Sequence, residues 1–175
     1  MRATRTMRIE AARRRLLRLA PLFALLALFS GCDSSPAPPA AERAADFALE
    51  LFDGGRFDMG AQRGKVVVIN FFASWCVSCG EESPMLERVS KTYQGKPVSF
   101  VMVAVEDTEA KAREFLAKKD VHIAAGLDRT GVIKTAYGIY GMPTTFFVDK
   151  VGKVSYMHAG AIGEQLLRAE VDKLL

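Results

Sequence analysis

The sequence predicts an α/β domain with a mixed central sheet covered by helices on both faces. Three observations carry this. Val66 to Phe72 is an apolar run interrupted only by Asn70, rich in β-branched and aromatic residues, as in a strand buried on both faces. Strand-like and helix-like stretches alternate after it. Lys150-Val151-Gly152-Lys153 then joins two strand-like runs by a turn too short for a crossover, so that pair is antiparallel and the sheet is mixed.

The elements follow in order. Phe47, Leu49 and Leu51 alternate as in an edge strand, and Asp53-Gly54-Gly55 is turn chemistry, so Arg56 to Met59 pairs back as an N-terminal β-hairpin. The buried strand spans Lys65–Phe72, and a helix is expected from about Cys76 to Tyr93. Pro84 falls inside it, where a missing N–H and a steric clash predict a kink. Val98 to Val105 is a second buried strand. Asp107 or Thr108 caps a helix to Lys119 with Ala112, Phe115 and Leu116 inward. Val121–Ala125 reads as a short strand, and Asp128-Arg129-Thr130 as the opening of a short helix ending near Tyr137-Gly138. Thr144–Val148 and Val154–His158 form the closing hairpin. A last helix from Gly163-Glu164 carries the stripe Leu166, Leu167, Val171 and Leu174.

The chemistry is expected at Cys76 and Cys79, where the buried strand gives way to a helix. The first N–H groups of a helix have no partner within it and carry partial positive charge. A thiolate at that end is stabilised, so it forms nearer neutral pH and becomes a nucleophile. Cys79 lies one turn on, about 5–6 Å away between Cβ atoms, within reach of a disulfide. Cys76 is therefore the attacking thiol and Cys79 the resolving one. A closed zinc site would need four ligands, and the remaining candidates, Cys32, His122 and His158, lack zinc spacing. No metal or cofactor is called for, and neither histidine is assigned to catalysis.

Residues 1–31 read as a targeting segment: seven arginines and one glutamate, then a short apolar stretch from Leu19 to Ser30. It ends Phe29-Ser30-Gly31-Cys32, small residues before a cysteine, which resembles a bacterial lipoprotein signal with lipid on Cys32. Lipidation would also give the odd third cysteine a fate. Residues 32–45 are Ser/Pro/Ala-rich and read as a flexible tether, and residues 46–175 as one domain. Removing the leader's seven basic residues from 24 leaves 17, and its one acid from 20 leaves 19, a net charge of −2. That balance argues against a nucleic-acid partner.

Trp75-Cys76-Val77-Ser78-Cys79 behind a buried strand, with Gly141-Met142-Pro143-Thr144-Thr145 some sixty residues on, resembles the thioredoxin fold. Asn70, Glu82-Ser83-Pro84 and Pro143-Thr144-Thr145-Phe146-Phe147-Val148-Asp149-Lys150 narrow the likeness to the membrane-tethered periplasmic TlpA/ResA/CcmG group. The departures are Ser78, where many members have Pro, and Gly80, where a basic residue is common. The resemblance implies a thiol–disulfide oxidoreductase that reduces protein disulfides in cytochrome c or copper-oxidase assembly. It would be a monomer, anchored by lipid at the periplasmic face of the inner membrane and recharged by a membrane donor of the DsbD/CcdA type. It also implies a cis bond at Met142-Pro143, although isomer frequencies alone favour trans. Trp75, Met142 and Pro143 would then contact substrate, with the Met142 backbone pairing to a substrate strand.

Glu82 is the third candidate catalytic residue. It lies three residues after Cys79, four before Leu86, seven before Val89 and eleven before Tyr93, which puts it on the buried stripe. Glu81 falls off that stripe. Asn70 matches the place where cytoplasmic thioredoxins carry a buried acid, and an amide takes no proton there, so Glu82 is expected to serve as proton acceptor for Cys79. Two other readings compete. A Sco-like copper carrier on the same fold expects wider cysteine spacing and a distal histidine. A peroxidase expects a lone cysteine after a Thr/Pro-rich turn.

Overall fold

A computed structural model of the chain describes residues 43–175. The expected leader, the lipidation site Cys32 and most of the expected tether lie outside the described residues. Contacts with the domain begin ahead of Asp46. Arg43 bridges to Lys153, and the Ala44 amide donates to Gly152 O at 3.0 Å.

The N-terminal hairpin is present as β1 (Ala48–Glu50) and β2 (Arg56–Asp58), with Leu49 opposite Phe57. After a 3₁₀ turn at Gly60–Gln62 come β3 (Val66–Phe72), α1 (Val77–Thr92), β4 (Val98–Ala104), α2 (Glu109–Lys118) and β5 (Ala124–Leu127). Then follow α3 (Val132–Ala136), β6 (Thr144–Val148), β7 (Val154–Ala159) and α4 (Glu164–Leu174). The main sheet has the order β5-β4-β3-β6-β7. β3, β4 and β5 run parallel, while β6 is antiparallel to β3 and β7 to β6. This is the mixed sheet expected, and the arrangement is the thioredoxin fold.

Every residue of β3 is buried, and its side chains alternate between two cores. Val68 and Phe72 meet Leu86 and Val89 of α1, Phe115 and Leu116 of α2, and Leu167 and Val171 of α4. Val67, Ile69 and Phe71 meet Leu49, Phe57 and Met59 of the hairpin segment and Ile133 and Tyr137 of α3. One face thus carries three helices, and the other the hairpin and a short helix. Pro84 lies within α1, which continues through it.

Two local expectations are corrected, and a choice between two cap residues is decided. The strand expected at Val121–Ala125 starts at Ala124, because the His122 and Ile123 amides donate to Glu87 Oε2 at 2.8 and 3.0 Å rather than to a sheet neighbour. α3 opens at Val132, after Gly131 at φ 72°, while Asp128 reaches forward to accept from the Lys134 amide at 2.8 Å. Thr108 caps α2, and Asp107 has a different task, described below.

Candidate active site

β3 ends against the turn Ala73-Ser74-Trp75, and Cys76 is the N-cap of α1. Asp107, from the loop after β4, holds that turn. Its Oδ2 accepts from the Ser74 amide at 2.6 Å and its Oδ1 from Ser74 Oγ at 2.9 Å. Glu106, with φ 51°, presents its carbonyl to the Trp75 indole N–H at 3.0 Å. Trp75 is 60% exposed, so it is no part of the core.

Cys76 and Cys79 are joined as a disulfide, with Cα atoms 5.3 Å apart. Cys76 Sγ accepts from the Cys79 amide at 3.2 Å, the contact expected of a sulfur at a helix N-terminus. Ser78 Oγ lies 3.6 Å from the same sulfur, so the residue that departs from the group's pattern brings a hydroxyl to the attacking position. Cys76 is 7% exposed and Cys79 fully buried, the order expected for attacking and resolving thiols.

Met142-Pro143 is a cis peptide bond. Phe71 pairs with Thr144, so the register puts Pro143 level with Phe72, the last residue of β3, and Met142 just beyond it, on the side of the turn that carries Cys76. Met142 packs against both cores. Tyr140, three residues before Pro143, is fully exposed, as is most of Val77 beside Cys76.

Beneath the dithiol helix runs a polar row. Register places Asn70 of β3, Thr145 of β6 and His158 of β7 side by side. Asn70 Nδ2 donates to Thr145 Oγ1 at 3.0 Å and to Glu82 Oε1 at 2.9 Å. The Ile162 amide donates to Glu82 Oε2 at 2.8 Å. His158 Nε2 lies 3.2 Å from Ala161 O, so one short segment is gripped by both side chains. Glu82 is 5% exposed, as its place on the stripe requires, and Glu81 is exposed. Burial pushes the Glu82 pKa above the usual carboxylate value, opposed by the Ile162 amide, the Asn70 amide and the charge of His158. Among the described residues, Asn70 Oδ1 is buried without a partner.

Sequence reasoning missed Glu87. Burial raises its pKa, but the His122 amide, Lys91 and the Ile123 amide outweigh that and hold it below the usual value. Its position between Leu86 and the stripe residue Val89 carried no signal, because its partners are backbone groups 35 and 36 residues away.

Residues 39–175 match the redoxin family. The chain is 29% identical to the thioredoxin-like protein YneN of Bacillus subtilis over 133 residues, 75% of this chain and 78% of that one. It is 29% identical to the thiol-disulfide oxidoreductase ResA of Bacillus subtilis, over 71% and 69% of the two chains. It spans 65% of the ResA of Bacillus thuringiensis, at 28% identity over 65% of this chain. Among solved structures it resembles a thiol:disulfide interchange protein DsbE from Chlorobium tepidum, with TM-score 0.72, 28% identity, and coverage of 79% of this chain and 99% of that one. It also resembles dsbF from MTB, with TM-score 0.71, 28% identity, and coverage of 78% and 100%. With a strand-end Cys-x-x-Cys disulfide on this fold, the chain belongs to the redoxin family and is a thiol–disulfide oxidoreductase of the ResA/DsbE type.

Proposed function

We propose that the protein is a membrane-tethered reductase of protein disulfides, serving cytochrome c or copper-oxidase assembly at the periplasmic face of the inner membrane. The observation that carries the reductase reading is the buried carboxylate of Glu82, one turn from the resolving thiol and supported from both sides. In the reduced state Cys76 attacks a substrate disulfide as thiolate. One Cys76–substrate bond forms, and one substrate sulfur leaves as thiolate and takes a proton from solvent. Cys79 then gives its proton to Glu82 and attacks Cys76 Sγ. The mixed disulfide breaks, the second substrate sulfur leaves reduced, and Cys76–Cys79 closes. Two electrons pass to the substrate, and a donor of the DsbD/CcdA type returns them.

Trp75, Met142 and Pro143 are the substrate contacts in this reading. The Met142 backbone pairs with an extended substrate segment, which reads main chain more than side chain. Cys32 carries the lipid, residues 1–31 are the signal and the stretch from 32 on is the tether. The protein works as a monomer. A copper-carrier reading would recruit His158, whose two ring nitrogens already lie near Tyr156 Oη and Ala161 O.

Cys79→Ala tests the function, because it leaves a mixed disulfide unresolved. Reduced protein should trap a cytochrome or oxidase-assembly protein as a covalent partner. Capture of unrelated proteins alone would overturn the assignment. Tight copper binding by the reduced protein, lost in Cys76→Ser, would favour the carrier instead. Mass spectrometry of the native N-terminus checks the lipid, and an unmodified Cys32 removes the anchor.

A further inference from the structure

Gly80 lies one turn after Cys76, and its amide donates to Cys76 O at 3.2 Å. Its backbone is ordinary helix, so no special conformation calls for glycine, and glycine is a poor helix former. Space explains it. A Cβ on Gly80 would lie 3.0 Å from Lys119 Cε, 3.2 Å from Lys119 Nζ and 3.5 Å from Phe115 Cε2. The place of the missing side chain is occupied by the head of a lysine from another element.

Lys119 closes α2, and Asp120 at φ 52° turns the chain away behind it. One turn earlier Phe115 stacks on Phe72, in the core that also holds both cysteines. The lysine is half-buried, and among the described residues its ammonium has no ion-pair partner. The neighbouring charges are otherwise engaged or exposed. Lys118 pairs with Glu114, Glu106 with Lys134, and Asp107 holds Ser74. His122 lies between Glu87 and Asp120, Glu82 is bound to Asn70 and Ile162, and Glu81 is exposed.

We propose that Lys119 is a positioning residue that stabilises the Cys76 thiolate through space, and that position 80 is glycine to admit it. This rests on the dithiol reading above. The charge matters only when Cys76 is ionised: the thiolate released when a donor dithiol reduces the disulfide lies one helical turn from Gly80, where the ammonium is held. The disulfide carries no charge for it to hold. The cation therefore favours the reduced form and makes Cys76 both the better nucleophile near neutral pH and the better leaving group.

The test is ultraviolet titration of the thiolate in reduced protein, with Cys79 identified separately by Cys79→Ala. Lys119→Gln should raise the midpoint of Cys76 ionisation by about one pH unit, the order expected when one neighbouring charge is removed from a partly wet site. Lys119→Arg should keep the wild-type midpoint. Gly80→Lys added to Lys119→Gln should restore it by returning a charge to the same turn. Added salt should shrink the difference. Gly80→Ala, which displaces the ammonium without removing it, should move the midpoint the same way by less, and guards against a Lys119 variant that fails to fold. An unmoved midpoint in folded Lys119→Gln or in Gly80→Ala overturns the proposal while leaving disulfide reduction intact. A wild-type Cys76 that ionises no more readily than a free thiol, with no reductase activity, overturns the dithiol reading instead.

Discussion

Glu82→Gln separates the proposed chemical role of the buried carboxylate from its structural one. Two amide donors hold the carboxylate, Asn70 Nδ2 at 2.9 Å and the Ile162 N–H at 2.8 Å. Hydrogen bonds to a charged group contribute roughly 1.5–3 kcal/mol each, and neutral ones about 0.5–1.5. Loss of the charge therefore costs about 1 kcal/mol per bond, offset by relief from burying it. The amide introduced by Glu82→Gln would face Asn70 donor to donor, but Asn70 has an unpartnered Oδ1. Rotating the Asn70 amide gives the new N–H an acceptor, and the Thr145 hydroxyl can donate in place of accepting. The fold should thus change stability by no more than about 1 kcal/mol at neutral pH, read from urea unfolding. The pH dependence has a definite sign. Burial raises the folded-state pKa of Glu82 above its unfolded value. Its contribution is therefore full below the unfolded value and is lost as pH rises through the folded one. Glu82→Gln lacks that loss and should gain on wild type as pH rises. Resolution of the mixed disulfide should slow by about 100-fold, the low end for a positioned acid–base group and about 2.7 kcal/mol in barrier. Stopped-flow release of a model thiol across about pH 5 to about 9, which brackets carboxyl and thiol ionisation, reads this directly. Glu81→Gln is the control. Superimposable rates for the two variants would refute the acid–base role, and a loss of more than about 3 kcal/mol would refute the re-pairing through Asn70.

Three further outcomes are expected. Glu87→Ala strips the His122 and Ile123 amides of a charged acceptor and should cost about 3 kcal/mol at pH near 7. Because the folded pKa is lowered, that cost should shrink as pH falls through the folded value, and a pH-independent difference in chemical unfolding would contradict it. Gly126→Ala would set a Cβ 2.2 Å from Glu50 O, backbone that cannot rotate away, so it should destabilise by at least about 2 kcal/mol; a wild-type melting temperature would count against that contact. Brief alkylation of the reduced protein near neutral pH should label Cys76 before Cys79, and peptide mapping with the opposite order would reverse their roles.

The parts of this molecule legible in the sequence are those written as short-range periodicity. The buried run Val66–Phe72, the helix after the cysteines and the tight turn at Lys150–Lys153 each follow from spacing, and the turn accounts for the mixed sense of the sheet, whereas the strand order comes from the structure. Glu82 was legible for the same reason, since its neighbours on the stripe are its own helix residues. The tasks of Glu87, Asp107 and Lys119 were not legible. Each acts on a group more than thirty residues away through backbone amides or an empty Cβ position, and neither leaves a periodic mark. Asp107 illustrates the ambiguity: it sits where a helix cap would, while the next residue, Thr108, takes that place. The isomer at Pro143 leaves no mark in residue spacing, so only resemblance pointed to it.

The approach of Glu50 to Gly126 has a wider consequence. Leu51 forms an isolated antiparallel bridge to Gly126, and the Phe52 amide donates to Ala125 O at 2.7 Å. β5 is an outer strand of the sheet, and an outer strand with free amides is a template for another chain. The end of the hairpin strand lies along it and takes up part of that hydrogen-bonding capacity. At the opposite margin Arg43 and Ala44 meet Lys153 and Gly152 at the start of β7. One short N-terminal stretch thus touches both borders of the sheet, and residues 43–52 act as a hem against strand-to-strand aggregation. Shortening this stretch would expose those borders without altering a single residue around the disulfide.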